Sequence, residues 1–354
     1  MGETTPTDAV GEAAIRRGGH TAGLRRGGGH GLGGGGPMGR RQADGAAAGR
    51  WTDRSAYPPL VTSDRAPGPP DAERRLPLPE PYSLRLTLGI HARGRADPSM
   101  RFEASGSTWR ATRTPAGPVT LFIEARGGWA RARAWGPGSG WALDGLEGLL
   151  GLDDDPDALV PQHPAVAAAV KRSPGLRFGR TLAVLEALVP AILGQKITAD
   201  EARRTLGGLV RVYGEDAPGP PGLRLLPEPH VLARLPYHAF HPLGLERRRA
   251  ELVKAVCRDA ARLERLGEDA GGPDSAPETL AAREAAYAAL RAYPGIGPWT
   301  AAQVGMRAFG DPDAVSVGDF HLPTWSRGRW PASRGAPTSG CWSSWSRTGA
   351  SAGG

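Results

Sequence analysis

The sequence predicts a mainly α protein, in which an all-α domain is preceded by a small antiparallel α+β domain. Three observations carry this reading. Apolar residues recur with a period of two between Tyr82 and Trp135, and with a helical period from His163 to Phe309. Two of the helical runs, Glu284–Tyr293 and Trp299–Phe309, flank a tight turn, Pro294-Gly295-Ile296-Gly297-Pro298. Outside these limits the composition changes, because the 52 glycines and 34 prolines among 354 residues concentrate at the two ends.

Residues 1–80 contain runs such as GGGHGLGGGGPMGRR, with too few apolar side chains to offset the entropy of ordering, and are expected to be a disordered extension. Two readings of it stay open: an arginine–glycine arm that touches nucleic acid non-specifically, and a translation start assigned too far upstream.

Residues 81–160 form the expected small domain. Leu84, Leu86 and Leu88 alternate with Arg85 and Thr87, which predicts a strand, and further strands are expected over Thr108–Thr112, Val119–Glu124 and Trp129–Trp135. Arg126-Gly127-Gly128 suits a hairpin turn between the last two. Trp141–Leu152 begins the change to helical spacing. Asp153-Asp154-Asp155 resembles a metal loop, but acids before a proline are read as a helix start. No catalytic cluster falls in this region.

Residues 161–323 form the helical domain. Helices are expected over Ala165–Lys171, Arg180–Leu193, Ala199–Tyr213, Pro229–Leu235, Glu246–Leu266, Pro277–Tyr293 and Trp299–Phe309. The run Thr181–Leu193 is apolar nearly all round, as expected of a central buried helix. It ends at Gly194, and a turn carries Gln195 and Lys196 out of it, where a solvated C-cap accounts for the same residues.

Net charge is weak evidence of a partner. Residues 1–80 hold eleven Arg against nine acids and residues 324–354 hold four Arg and no acid, leaving only +2 of the total +8 for the middle. Two cysteines, Cys257 and Cys341, give no disulfide framework, no zinc set and no four-cysteine iron–sulfur cluster. No apolar run is long enough for a membrane span, and a cytoplasmic monomer is expected.

The turn at 294–298 has readable physics. Proline cannot continue the first helix, two glycines allow positive φ and close backbone approach, and Pro298 is tolerated in the first turn of the next helix. Amides facing outward at such a turn suit a phosphodiester, contacted without sequence preference. An ordinary link between packed helices explains the same residues. An extended Ala314–Gly318 then delivers one carboxylate, Asp319.

PGIGPWTA followed by an acid twenty residues after Trp299 resembles the helix-hairpin-helix DNA glycosylases, and specifically the bacterial 3-methyladenine type II subfamily. Leu188–Thr198 (LVPAILGQKIT) is similar to that family's helix and turn bearing a Gln and a duplex-probing residue, and Leu245–Ala255 (LERRRAELVKA) to its helix with an Arg-Ala pair. The resemblance runs over 82–323. It implies Asp319 as the catalytic carboxylate, Trp299 and Phe320 as the substrate pocket, and Gly295, Ile296, Gly297, Gln195 and Lys196 as DNA contacts. His321 is a lesser phosphate candidate. The implied partner is double-stranded DNA with damaged bases. No cofactor and no metal are implied, save a monovalent cation envisaged on the hairpin carbonyls.

Two departures accompany the resemblance. Lys196 stands where the family often has an apolar wedge, and Gln303 where some relatives have a pocket Tyr. The implied chemistry is flipping of an alkylated purine nucleotide and hydrolysis of its N-glycosidic bond, with Asp319 stabilising an oxocarbenium-like sugar or orienting water. Relatives that also cleave the backbone carry a lysine where this chain has Trp299. An indole forms no imine, so base release alone is expected. Its π-face suits stacking on a cationic base.

Residues 324–354 do not fit. They contain four Trp and no Leu, Ile, Val, Phe, Tyr, Met or acid, and so supply no core. Plausible codons from Trp325, regrouped one base earlier, give the amphipathic VVAWALAGEPRGTDERMLEL, and a frameshift in the gene or its sequencing is expected. The alternative function is a non-catalytic or decayed hairpin DNA-binding protein without an intact C-terminus.

Overall fold

The computed structural model describes residues 68–220, 222–272 and 276–319. The expected extension up to residue 67, Phe320, His321 and the tail 324–354 lie outside the described residues.

A five-stranded antiparallel sheet comes first, in the order β1-β5-β4-β3-β2. Its strands are β1 (Ala72–Pro77), β2 (Met100–Phe102), β3 (Thr108–Thr114), β4 (Gly117–Arg126) and β5 (Trp129–Trp135). The β4–β5 connection turns at Gly127 and Gly128, with φ of 59° and 73°, as the hairpin expectation requires. Val119, Leu121 and Ile123 project from β4 into a core closed by α1 (Leu84–Gly89), α2 (Ser139–Asp144) and α3 (Leu146–Leu149).

Two expectations for this region are corrected. Residues 72–77, placed in the disordered extension on composition, pair with β5 over six residues, bury Leu76, and fix Arg74 on the Leu143 carbonyl at 2.8 Å. Pairing with a distant strand supplies what local composition lacks. Leu84–Leu88 is a helix and not a strand. Ser83 caps it by accepting from the Leu86 amide at 3.4 Å, and it buries Leu84, Thr87 and Leu88 while Leu86 is 38% exposed. The segment LRLTLG satisfies both periods, and packing chooses.

The chain then becomes helical: α4 (Pro164–Arg172), α5 (Val184–Leu193), α6 (Ala199–Tyr213), α7 (Pro229–Arg234), α8 (Tyr237–Phe240), α9 (Arg247–Arg258), α10 (Ala260–Ala270), α11 (Pro277–Arg291) and α12 (Pro298–Val304). The Asp153–Asp155 run ends as the cap of a short 3-10 turn, Asp155 accepting from the Asp157 amide at 3.1 Å. The region is not purely helical, since β6 (Glu215–Asp216) pairs with β7 (Arg224–Leu225). The expected helix 246–266 is interrupted at Asp259, and α10 runs on to Ala270. Among the described residues, no helix is long and apolar enough to cross a membrane.

Helix α5 is the axis of the second core, with eight of its ten residues buried. It begins at Val184 and not Arg180, because Leu182 sits at φ 57°, outside the right-handed helical region, and the amides of Thr181 and Leu182 donate across to the carbonyls of Arg307 and Ala308. Its N-terminus is capped by Glu264, whose carboxylate accepts from the amides of Val184 and Leu185 at 2.7 and 3.0 Å. Pro190 within the helix has no N–H to give to the Glu186 carbonyl, and Arg93 donates to that carbonyl instead at 3.4 Å. At the far end the buried Arg249 donates to the Leu193 carbonyl at 2.7 Å. A helix tied at both ends and in the middle fixes where Gln195 and Lys196 emerge.

Candidate active site

The hairpin joins α11 to α12. Gly295 sits at φ 107°, which a side chain would strain, and Gly297 is extended before Pro298 opens α12. Ile296 points inward, 5% exposed, into the core around α5, and its amide donates to the Tyr293 carbonyl at 3.0 Å. Ile296 anchors the hairpin, and the amides of Gly295 and Gly297 have no acceptor among the described residues.

The turn after α5 faces the hairpin. Gln195 donates through Nε2 to the Gly295 carbonyl and to the Thr300 hydroxyl, both at 2.9 Å, so its amide joins the two turns instead of projecting freely. Lys196 is exposed at φ 57°, a left-handed conformation uncommon outside glycine, which turns the side chain away from the core.

Asp319 lies on the same side. The chain from Ala314 to Ser316 has no regular secondary structure, and it turns already at Val315, whose carbonyl accepts from the Val317 amide at 2.8 Å. It turns again with Gly318 at φ 85° and the Asp319 amide donating to the Ser316 carbonyl at 3.2 Å, which corrects the continuous extended segment expected to Gly318. The carboxylate accepts from Trp299 Nε1 at 2.8 Å through Oδ2. The indole thus uses its N–H edge to hold the acid, a role that the π-face reading missed. Gln303 is turned away, donating to the Ser316 hydroxyl at 2.6 Å, so it supplies no cleft wall.

These residues bound one cleft of about 770 Å³, lined by Gln195, Lys196, Arg248, Trp299, Thr300 and Asp319. Arg248 was not singled out in the sequence, although it lies in the helix carrying the Arg-Ala pair. A second cavity of about 520 Å³ lies between β3 and α5, lined by Thr112, Leu185, Glu186 and Glu264, and contains none of the expected site residues. The first cleft is the one that brings together the expected site residues Gln195, Lys196, Trp299 and Asp319.

A glycine hairpin, a second turn bonded to it and a carboxylate held by the hairpin's own helix thus meet in one cleft. No family model matches the chain. Over 180 residues, 49% of its length, the chain is 33% identical to a probable bifunctional transcriptional activator/DNA repair enzyme AlkA of Mycobacterium tuberculosis, of which it covers 34%. Over 159 residues it is 28% identical to DNA-3-methyladenine glycosylase 2 of Escherichia coli, of which it covers 53%. The chain therefore spans about a third and about half of the lengths of these relatives.

Among solved structures it superposes on the 3-methyladenine DNA-glycosylase of Archaeoglobus fulgidus with TM-score 0.57 and 21% identity, over 72% of this chain and 86% of that one. It also superposes on Clostridium acetobutylicum 8-oxoguanine glycosylase/lyase in complex with double-stranded DNA, with TM-score 0.55 and 12% identity, over 74% and 84%. The resemblance to the superfamily, and to its 3-methyladenine subfamily, is thus found again in independent relatives.

Proposed function

We propose that this protein is a DNA glycosylase of base-excision repair that hydrolyses the N-glycosidic bond of alkylated purines. The reading is carried by the 2.8 Å bond from Trp299 to Asp319 at the wall of a cleft rimmed by Lys196. Double-stranded DNA docks its backbone on the Gly295 and Gly297 amides and on Arg248. The damaged nucleotide flips into the cleft, and the aliphatic stem of Lys196 enters the gap while its ammonium meets phosphate.

One carboxylate oxygen of Asp319 is fixed by the indole. In the proposed reaction the carboxylate stabilises the positive charge that develops on the sugar as the bond breaks, or holds the attacking water. Trp299 offers no amine, so the product is an abasic site and the backbone stays intact. In this reading residues 161–323 bind DNA and carry the chemistry, the sheet domain from β1 to residue 160 packs against them, the protein acts as a monomer, and no redox cofactor takes part. A monovalent cation on the hairpin would share the Gly295 carbonyl with Gln195.

Asp319→Asn is the test. It is expected to abolish release of alkylated bases from duplex DNA while binding to an abasic-site analogue persists. Equal release by variant and parent would overturn the assignment, and binding by the parent without any release would select the non-catalytic alternative.

A further inference from the structure

Helix α12 and the π-helical turn Gly305–Phe309 that continues it present a polar stripe at four-residue intervals. Trp299 donates to Asp319 at 2.8 Å, Gln303 donates to the Ser316 hydroxyl at 2.6 Å, and Arg307 Nη1 donates to Gln303 Oε1 at 2.6 Å. Trp299 and Gln303 thus meet the loop 311–319 in reverse order, and Arg307 backs Gln303. The loop's other end is held separately, where the Asp311 carboxylate accepts from the Tyr287 hydroxyl and the Asp311 amide donates to the Gly305 carbonyl at 3.1 Å.

The sites of these anchors are constrained. Ser316 is only 8% exposed. A Cβ on Gly305 would fall 1.9 Å from the Tyr287 oxygen, so glycine is required where the helix changes to the wider turn that carries Arg307. Between Ser316 and Asp319 the chain has one turn with a glycine in it, and with Ser316 released that turn is free to rotate about Gly318.

We infer that Gln303, oriented by Arg307, is a positioning residue for Asp319: through Ser316 it fixes the turn that sets where the carboxylate stands against Trp299. Gln303 does not line the cleft and touches no substrate in the proposed reaction. The inference rests on that reaction only for its catalytic consequence. The geometric part stands independently.

The test is Gln303→Leu, of similar size but without donor or acceptor, compared with Gln303→Glu, which keeps acceptors for Arg307 and for the Ser316 hydroxyl. Two readouts are taken. In single-turnover base release Gln303→Leu is expected to fall at least tenfold with affinity for an abasic-analogue duplex unchanged, and Gln303→Glu to recover most of the rate. In 15N–1H spectra the indole cross-peak of Trp299, assigned by its loss in Trp299→Phe, is expected to leave its hydrogen-bonded position in Gln303→Leu and return in Gln303→Glu. An unmoved cross-peak in Gln303→Leu overturns the inference, as does a parental release rate. If the parent releases no base, the proposed function fails and the cross-peak alone decides. Should Gln303→Leu not fold, Ser316→Ala removes only the hydroxyl and is read by the same two measurements.

Discussion

The side-chain amide of Gln195 donates to the Gly295 carbonyl at 2.9 Å, joining two turns a hundred residues apart. The same nitrogen serves Thr300, which is 2% exposed. Gln195→Ala leaves the buried Thr300 hydroxyl without this donor, at a cost of about 1–3 kcal/mol, while the exposed Gly295 carbonyl turns to water. For a domain of this size that lowers the unfolding midpoint by several degrees. Affinity for duplex DNA is expected to fall alike for all sequences, because the turns no longer move as one unit. A variant that melts with the parent and binds with parental affinity would show that the bond positions nothing.

Trp299→Phe keeps an aromatic wall and deletes the N–H held by Asp319. A hydrogen bond to a charged group contributes roughly 1.5–3 kcal/mol. Base release is therefore expected to slow about 10- to 100-fold, with abasic-analogue binding retained. Unchanged single-turnover release would mean that the acid is oriented by something other than the indole.

Lys196 is exposed at the cleft rim and has an unusual backbone conformation. Lys196→Leu should keep the wedge and remove the charge. The slope of log affinity against log salt is expected to shrink by about one, with flipping retained. Lys196→Ala should lose both. An unchanged slope in both variants would place the ammonium away from phosphate.

Legibility of this fold in the sequence follows the range of the interactions. Helix α6 runs over Ala199–Tyr213 as expected, because Thr198 and Glu201 form a capping box and the apolar stripe is local. Strand β5 also has its expected limits, since alternation and the following glycine are local signals. Strand β1 was hidden because its partner lies more than fifty residues away, and α1 because six residues fit either period. In the site, the spacing of Trp299 and Asp319 was legible, but the use of the indole edge was not. Nothing local announces that Gln195 meets Gly295 or that Glu264 caps α5. Such pairings are set by the packing of helices distant in the chain.

Glu264 links the stability of the site to pH. Burial raises its carboxyl from the usual 4.5 to about 7, against the lowering effect of the two α5 amides it accepts. Folded protein then holds a proton that unfolded chain has released, over the window from about 4.5 to about 7. Its contribution to stability is present in full below the lower limit, declines as pH rises through the window and is constant above it, a difference on the order of 3 kcal/mol. A glutamine side chain at this position does not titrate. The stability of the parent minus that of Glu264→Gln, measured in denaturant titrations, is therefore expected to fall between about pH 4.5 and 7 and then level off. A difference that rises with pH would instead mean that the amides hold the carboxylate ionised, with the helix N-terminus outweighing burial.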